Sequence, residues 1–134
     1  MSGGQPPLVL IVDDSNHVTG PLEILFAETG RRVAVAGSIA AAVRACEAER
    51  PDLMLLDMSL PDGDGLSVLS LLAGREALPR VTVALTGRDD PLTVQRCRAA
   101  GCRDVLLKPV PVRELLRRAA EWLGEQPSTN GRQA

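Results

Sequence analysis

Leu53-Met54-Leu55-Leu56-Asp57 is an apolar run that ends abruptly in a carboxylate. No polar residue alternates with the apolar ones, so the run does not read as a strand with one wet face. A short, continuously apolar segment of this kind is how a parallel strand covered on both faces reads. Four further runs of this kind occur at Leu8 to Asp13, Arg32 to Ala36, Val81 to Thr86 and Arg103 to Leu107. Between and after them lie apolar stripes at helical spacing. These comprise Leu22, Leu25, Phe26 and Thr29, then Ile39, Val43 and Cys46, then Leu66, Leu69 and Leu72, then Val94 and Cys97, and finally Val112, Leu115, Leu116, Ala119 and Leu123. Strict alternation of strand and helix with short connections implies right-handed crossovers. The fold class is therefore α/β, a doubly wound five-stranded parallel sheet with helices on both faces.

The boundary signals agree with this division. Ser38 is placed to cap the second helix, and Asp90 followed by Pro91 is a cap and first-turn pair for the fourth. Gly30, Gly74 and Gly101 stand where helices should stop. Gly20-Pro21 predicts that the first helix begins late, near Thr19, or is kinked, because an internal proline removes a hydrogen bond and crowds the preceding turn. Residues 1–7 read as an N-terminal extension, 8–124 as one domain, and 125–134, with Pro127, Ser128, Asn130 and Gly131, as a flexible tail.

Composition narrows the function classes. With 134 residues, 45% hydrophobic and 24% charged, the chain has the make-up of an ordinary globular domain, and a net charge of -2 gives no electrostatic reason to expect nucleic acid. No apolar run approaches the roughly 18 residues of a membrane helix, and the start, Met-Ser-Gly-Gly-Gln-Pro-Pro, lacks the basic and apolar parts of a signal peptide. No membrane association and a cytoplasmic location are expected. Cys46, Cys97 and Cys102 lack metal-ligand spacing and read as reduced core residues. Lys108 is the only lysine among fifteen basic residues. A lone lysine in an arginine-rich chain points to a place where a flexible point charge does what a planar guanidinium cannot.

In a doubly wound sheet the ligand site lies beyond the carboxyl ends of the strands, where strand order reverses. The strand ends deliver Asp13 with Asp14, Asp57, Thr86 and, just past the fifth strand, Lys108 to that rim. Any one of these is a common turn residue; their conjunction is informative. Three carboxylates brought together repel unless a cation shares the site, and Mg²⁺ suits hard oxygen ligands. A lysine and a threonine beside a metal and a carboxylate supply the rest of a phosphoryl-transfer site, with a carboxylate oxygen as nucleophile. The hydroxyl of Thr86 then gains a phosphoryl oxygen to donate to.

Four segments carry a resemblance to a known family. Val-Asp-Asp-Ser at 12–15, Leu-Leu-Asp-Met-Ser-Leu-Pro-Asp-Gly-Asp-Gly at 55–65, Ala-Leu-Thr-Gly at 84–87 and Leu-Leu-Lys-Pro at 107–110 resemble the receiver domain of bacterial two-component response regulators. The likeness extends from about Leu8 to Leu123. It implies a flavodoxin-like (βα)5 fold and a signalling phosphoacceptor that takes part in its own Mg²⁺-dependent phosphorylation and dephosphorylation rather than an enzyme. It also implies that Asp57 is the phosphoacceptor and that Asp13, Asp14, Asp57 and the main-chain carbonyl of Ser59 hold Mg²⁺. Thr86 becomes the switch hydroxyl, Lys108 the partner of the phosphoryl group, and Pro109 a cis proline. The implied partners are a histidine kinase or histidine phosphotransfer protein, and a downstream protein reached through the fourth helix, fifth strand and fifth helix. The chain reads either as a stand-alone regulator or as a receiver separated from a larger protein.

The sequence departs from the family pattern at Val105, where the family has an aromatic switch residue, and Phe26 and Trp122 are the only aromatic residues in the chain. By the resemblance, Ser59 and Arg88 occupy positions that in the family tune the phosphoryl lifetime. Two other classes compete. An aspartate-nucleophile phosphatase places its nucleophile in an Asp-x-Asp motif after the first strand and its acidic pair last, whereas here the pair comes first. A phosphorylation-independent interaction module has no need of all five site residues, though Val105 fits it. His17, just past the acidic pair, reads as a solvent-facing residue at a helix start. Glu114 with Arg118 and Arg117 with Glu121 have the i,i+4 spacing of ion pairs on a wet helix face.

Overall fold

The computed structural model describes residues 5–88 and 90–125. Along the chain run β1 (Leu8–Val12), α1 (Asn16–Glu28), β2 (Arg32–Ala36), α2 (Ile39–Ala48) and β3 (Leu53–Asp57). A two-residue hairpin of β4 (Ser59–Leu60) and β5 (Gly63–Asp64) follows, then α3 (Ser67–Ala73), β6 (Val81–Thr86), α4 (Pro91–Ala99), β7 (Asp104–Leu107) and α5 (Val112–Trp122). The main sheet has the order β2-β1-β3-β6-β7 and all its pairings are parallel. This is the flavodoxin-like order, with its reversal between β1 and β3.

β1 and β3 are buried along their whole length, and alternate residues serve opposite faces. Leu10, Val12, Met54, Leu56 and Ala84 pack under α2, α3 and Cys97 of α4. Val9, Ile11, Leu53, Leu55, Val83 and Leu85 meet Leu22 and Phe26 of α1 and Leu115, Ala119 and Trp122 of α5. Continuous apolar runs are thus the pattern of a sheet roofed on both sides. The edge strands β2 and β7 are only half covered.

Several local expectations need correction. Helix α1 starts at Asn16, not near Thr19, and carries Pro21 inside it. Pro21 lies so near the start that its missing N–H forfeits only the bond to the His17 carbonyl, and burial of Thr19, Leu22 and Phe26 outweighs that loss. Asp13 falls one residue past β1, and β7 begins at Asp104 rather than Arg103. Gly30 and Gly101 end helices at positive φ, but Gly74 is right-handed and the left-handed turn residue is Glu76. The caps at Ser38 and Asp90 form as expected, accepting from Ala41 N at 3.1 Å and Thr93 N at 3.2 Å.

On α5 neither expected i,i+4 pair forms. Arg117 turns back to Glu114 at 2.7 Å, and Arg118 reaches Asp104 at 3.1 Å. The reason is Trp122, which completes the buried stripe in place of Leu123. Its Nε1 donates to the same Asp104 oxygen at 2.8 Å, and the Arg118 guanidinium lies 5.2 Å from its ring. Glu125 is held by Arg31, Nη2 to Oε1 at 2.8 Å and Nε to Oε2 at 3.3 Å, while 126–134 lie outside the described residues. All three cysteines are free and buried, and burial pushes the Cys102 thiol up to about 12 and that of Cys46 up to about 11. Thiols held protonated in this way are inert.

Candidate functional site

Sheet register assembles the site. Val12 pairs with Leu56, Asp57 with Leu85, and Thr86 with Leu107. Asp13 therefore emerges beside Asp57, and Lys108 emerges one residue past the level of Thr86. Carboxylate oxygens of Asp13, Asp14 and Asp57 lie within 4.8 Å of one another. Asp13 and Asp57 are buried and Asp14 is exposed, which leaves the cluster open to solvent on one side. Lys108 Nζ stands 3.2 Å from Asp13 Oδ2 and 3.5 Å from Asp57 Oδ1. The peptide bond after it, to Pro109, is cis, as the resemblance implies. Asp14, Asp57, Ser59, Leu60, Pro61, Gly87 and Lys108 line a cleft of about 540 Å³.

The backbone around Asp57 is tightly held. Ser59 N donates to Asp57 Oδ1 at 3.2 Å, Met58 N to the Leu85 carbonyl at 3.1 Å, and Gly65 N to the Met58 carbonyl at 2.8 Å. Burial pushes the Asp57 carboxyl above its ordinary range and Asp13 adds to this, against the Ser59 amide and Lys108, which favour the ionised form. Burial alone would lower Lys108, but Asp57 and Asp13 outweigh it and hold the ammonium above its usual value. The ammonium is therefore firmly charged in a site rich in carboxylate. Three carboxylates with an open side are a hard-oxygen donor set, and Mg²⁺ fits it.

Thr86 is buried at the end of β6, where its hydroxyl accepts from Arg88 N at 3.0 Å. It lines a second hollow, about 610 Å³, with Ser59, Gly87, Arg88, Thr93 and Arg96. Val105 pairs with Ala84 across the sheet and packs, partly buried, against the core on the α2 to α4 face. His17 is exposed at the start of α1 and is not among the acidic group.

Three residues that the sequence reading passed over shape the acceptor loop. Gly65 approaches the Asp57 carbonyl so closely that a Cβ there would lie 2.1 Å from its oxygen. Asp62 accepts from Ile39 N at 2.8 Å and Ala40 N at 3.2 Å, which holds its carboxyl below the usual range and pins the loop to the start of α2. Asp64 pairs with Arg96 of α4. The Asp-Gly-Asp-Gly run advertises a turn; only the fold shows what each carboxylate grips.

A family model for the response regulator receiver domain matches residues 9–120. The chain is a response regulator receiver domain. This receiver is 33% identical over 126 residues to the transcriptional regulatory protein AfsQ1 of Streptomyces coelicolor, an alignment covering 92% of the chain and 55% of AfsQ1. It spans about half the length of the curated relatives it matches. A response regulator receiver domain protein (CheY-like) from Methanospirillum hungatei superposes with a TM-score of 0.81 at 26% identity, over 90% of this receiver and 95% of that chain. The receiver domain of a sensor histidine kinase from Pseudomonas aeruginosa, solved with a magnesium ion coordinated in its active-site cleft, gives 0.74 at 31% identity, over 90% and 99%. Response regulator receiver domains are signalling modules of two-component systems. Among the described residues, no helix is long and apolar enough to cross a membrane. AfsQ1 is a transcriptional regulator, so the expectation of no nucleic acid reaches no further than the charge of this segment.

Proposed function

We propose that Asp57 accepts a phosphoryl group from a histidine kinase or histidine phosphotransfer protein in the cytoplasm, with Mg²⁺ held by Asp13, Asp14, Asp57 and the Ser59 carbonyl. The observation that carries this reading is the meeting of Asp13, Asp14, Asp57 and Lys108 on one open rim. Asp57 Oδ1 is engaged by the Ser59 amide and faces Lys108, which leaves the other oxygen to attack phosphorus. A P–O bond forms as the donor's P–N bond breaks, and the donor imidazole leaves. The bound cation would supply charge neutralisation at the phosphoryl oxygens. Lys108, beside Asp13 and Asp57, supplies a second positive charge as a compact ammonium that can swing from Asp13 toward the new anion. Residues 8–124 are proposed as the folded unit, with Glu125 tied to it by Arg31. The same site would let water remove the phosphoryl group.

Replacing Asp13 and Asp14 together by Asn keeps the side-chain volume but removes both charges. Mg²⁺ affinity should fall at least tenfold, about 1.4 kcal/mol, and labelling by a small phosphodonor should fall with it. Isothermal titration with Mg²⁺ and intact mass measurement check this. Labelling that ignores divalent metal would remove the pair from the assigned role.

Modification of Asp57 adds a group of about -2 charge, toward which the Thr86 hydroxyl can turn. Turning inward weakens its hold on Arg88 N, the first link of the loop leading to α4. Val105 is too short and too stiff at χ1 to fill the vacated space as an aromatic ring would. The response is therefore assigned to the backbone from Gly87 to Pro91 and to α4. With beryllofluoride and Mg²⁺, amide signals from Thr86 through Ala100 should shift, and Thr86→Ala should uncouple those shifts. Val105→Phe and Val105→Ala should leave labelling of Asp57 nearly unchanged. Bound mimic without movement of these amides would make the protein a phosphoryl sink rather than a switch.

A further inference from the structure

We propose that Arg96, on α4, is a positioning residue for the acceptor site, and that its ion pair with Asp64 links the state of that site to α4. The inference rests on the phosphoacceptor reading of Asp57.

The loop after β3 is slung between two helices. On one side the Asp62 carboxylate is fixed by two amides at the start of α2. On the other, Asp64 accepts the Leu66 amide at 3.0 Å through Oδ1 and the Arg96 guanidinium through Oδ2. Between these anchors Ser59 and Asp64 are register partners in the β4–β5 hairpin. Ser59 in turn donates its amide to Asp57 Oδ1. A continuous path thus runs Arg96, Asp64, Ser59, Asp57, each step a contact or a register pairing. Displacing Asp64 shifts its hairpin partner, and with it the amide that holds the acceptor carboxylate.

The two anchors differ in stiffness. Helix α2 is pinned by four buried residues, Ile39, Ala42, Val43 and Cys46, whereas α4 buries only Cys97. The edge of the loop facing α4 is the edge that can move. Both side chains of the pair are about half exposed, so the contact is open to salt and easily remade. A contact of this strength suits a coupling that must respond to chemistry at the site. Linkage makes such a coupling reciprocal: whatever α4 does to Ser59, a change at Asp57 and Ser59 does to α4. In a receiver whose Val105 cannot report by a ring movement, this path joins the Thr86–Arg88 turn and the Met58–Cys97 contact as a connection from site to helix.

Arg96→Gln removes the charge from an exposed helix position, and Asp64→Asn removes the opposite charge while keeping an oxygen for the Leu66 amide. In either variant, amides of Ser59, Leu60 and Asp64 should be displaced in the metal-free protein. The α4 shift produced by beryllofluoride and Mg²⁺ should fall to about half or less of the wild-type shift, and Arg96→Lys should restore most of it. High salt should weaken the α4 shift in the wild type and leave it unchanged in Arg96→Gln. An undisplaced Ser59 amide, or a full α4 shift in Arg96→Gln, would overturn the proposal. Intact mass after exposure to a small phosphodonor separates the two readings. An unlabelled wild type refutes phosphoryl acceptance and with it any role of Arg96 in a phosphoacceptor, whereas a labelled wild type with unmoved metal-free amides refutes Arg96 alone.

Discussion

Asp57→Asn is expected to take up no phosphoryl group and, free of metal, to be more stable than the wild type at neutral pH. The first effect follows because an amide oxygen cannot replace the carboxylate as nucleophile. The second follows from the environment of the carboxyl. Burial raises its pKa above the ordinary 3.8, Asp13 adds to this, and the Ser59 amide and Lys108 offset only part of it. A carboxyl whose folded pKa is raised contributes stability that is fully present below the unfolded value and is lost as pH rises through the folded one. Above that window the ionised Asp57 is a burden, which Asn removes while still accepting from Ser59 and leaving Lys108 its partner Asp13. The gap between variant and wild type should open as pH rises from about 3.8 and then level off. Mg²⁺ should narrow it, because a ligand that binds the folded wild type stabilises that form. Thermal melts across pH, with chelator and with Mg²⁺, check each part. A variant less stable than the wild type at neutral pH in chelator would contradict the electrostatic account.

The largest structural effect is expected from Gly65→Ala. The added Cβ would meet the Asp57 carbonyl oxygen at 2.1 Å, and the Asp57 carbonyl carbon and Met58 Cα at 3.1 Å. All three are backbone atoms that no rotamer change can clear. Gly65 cannot retreat either, because its amide is bonded to the Met58 carbonyl at 2.8 Å. Relief requires moving the end of β3 or unthreading the hairpin, at a cost of about 3 kcal/mol or more. Because the shifted segment carries Asp57, labelling should drop at least tenfold even where the domain remains folded. Gly87→Ala is the control, since a Cβ there meets nothing within 4 Å, and it should fold like the wild type. Urea melts and labelling rates of the two variants test this. Equal behaviour would mean that the approach of Gly65 to Asp57 does not constrain the site.

What the sequence made legible, and what it did not, follows from the range of the interactions. β3 is legible because four apolar residues and a terminal carboxylate encode both its double burial and its end. Asp13, Asp14, Asp57 and Lys108 are legible because parallel strands place their carboxyl ends on one edge, so strand ends alone predict their meeting. The start of α1 is not, because the cost at Pro21 is local while the burial of Phe26 that outweighs it is tertiary. The partner of Arg118 is not, because Trp122 draws Asp104 of β7 into reach, and helical spacing carries no information about β7. Gly65 sits in plain view within the quoted motif, yet its need for a missing Cβ arises from a backbone seven or eight positions earlier. The grip of Asp64 on Arg96 spans 32 positions and leaves no local trace.

Asp57 is proposed to accept a phosphoryl group at a metal-dependent site. The most direct test is the intact mass of the full chain after incubation with a small phosphodonor, once with Mg²⁺ and once with a chelator, followed by peptide mapping of the adduct. The expected result is a single phosphoryl group, present only with Mg²⁺ and mapped to Asp57. No adduct in Mg²⁺, an adduct that persists in chelator, or one mapped to another residue such as His17 would contradict it.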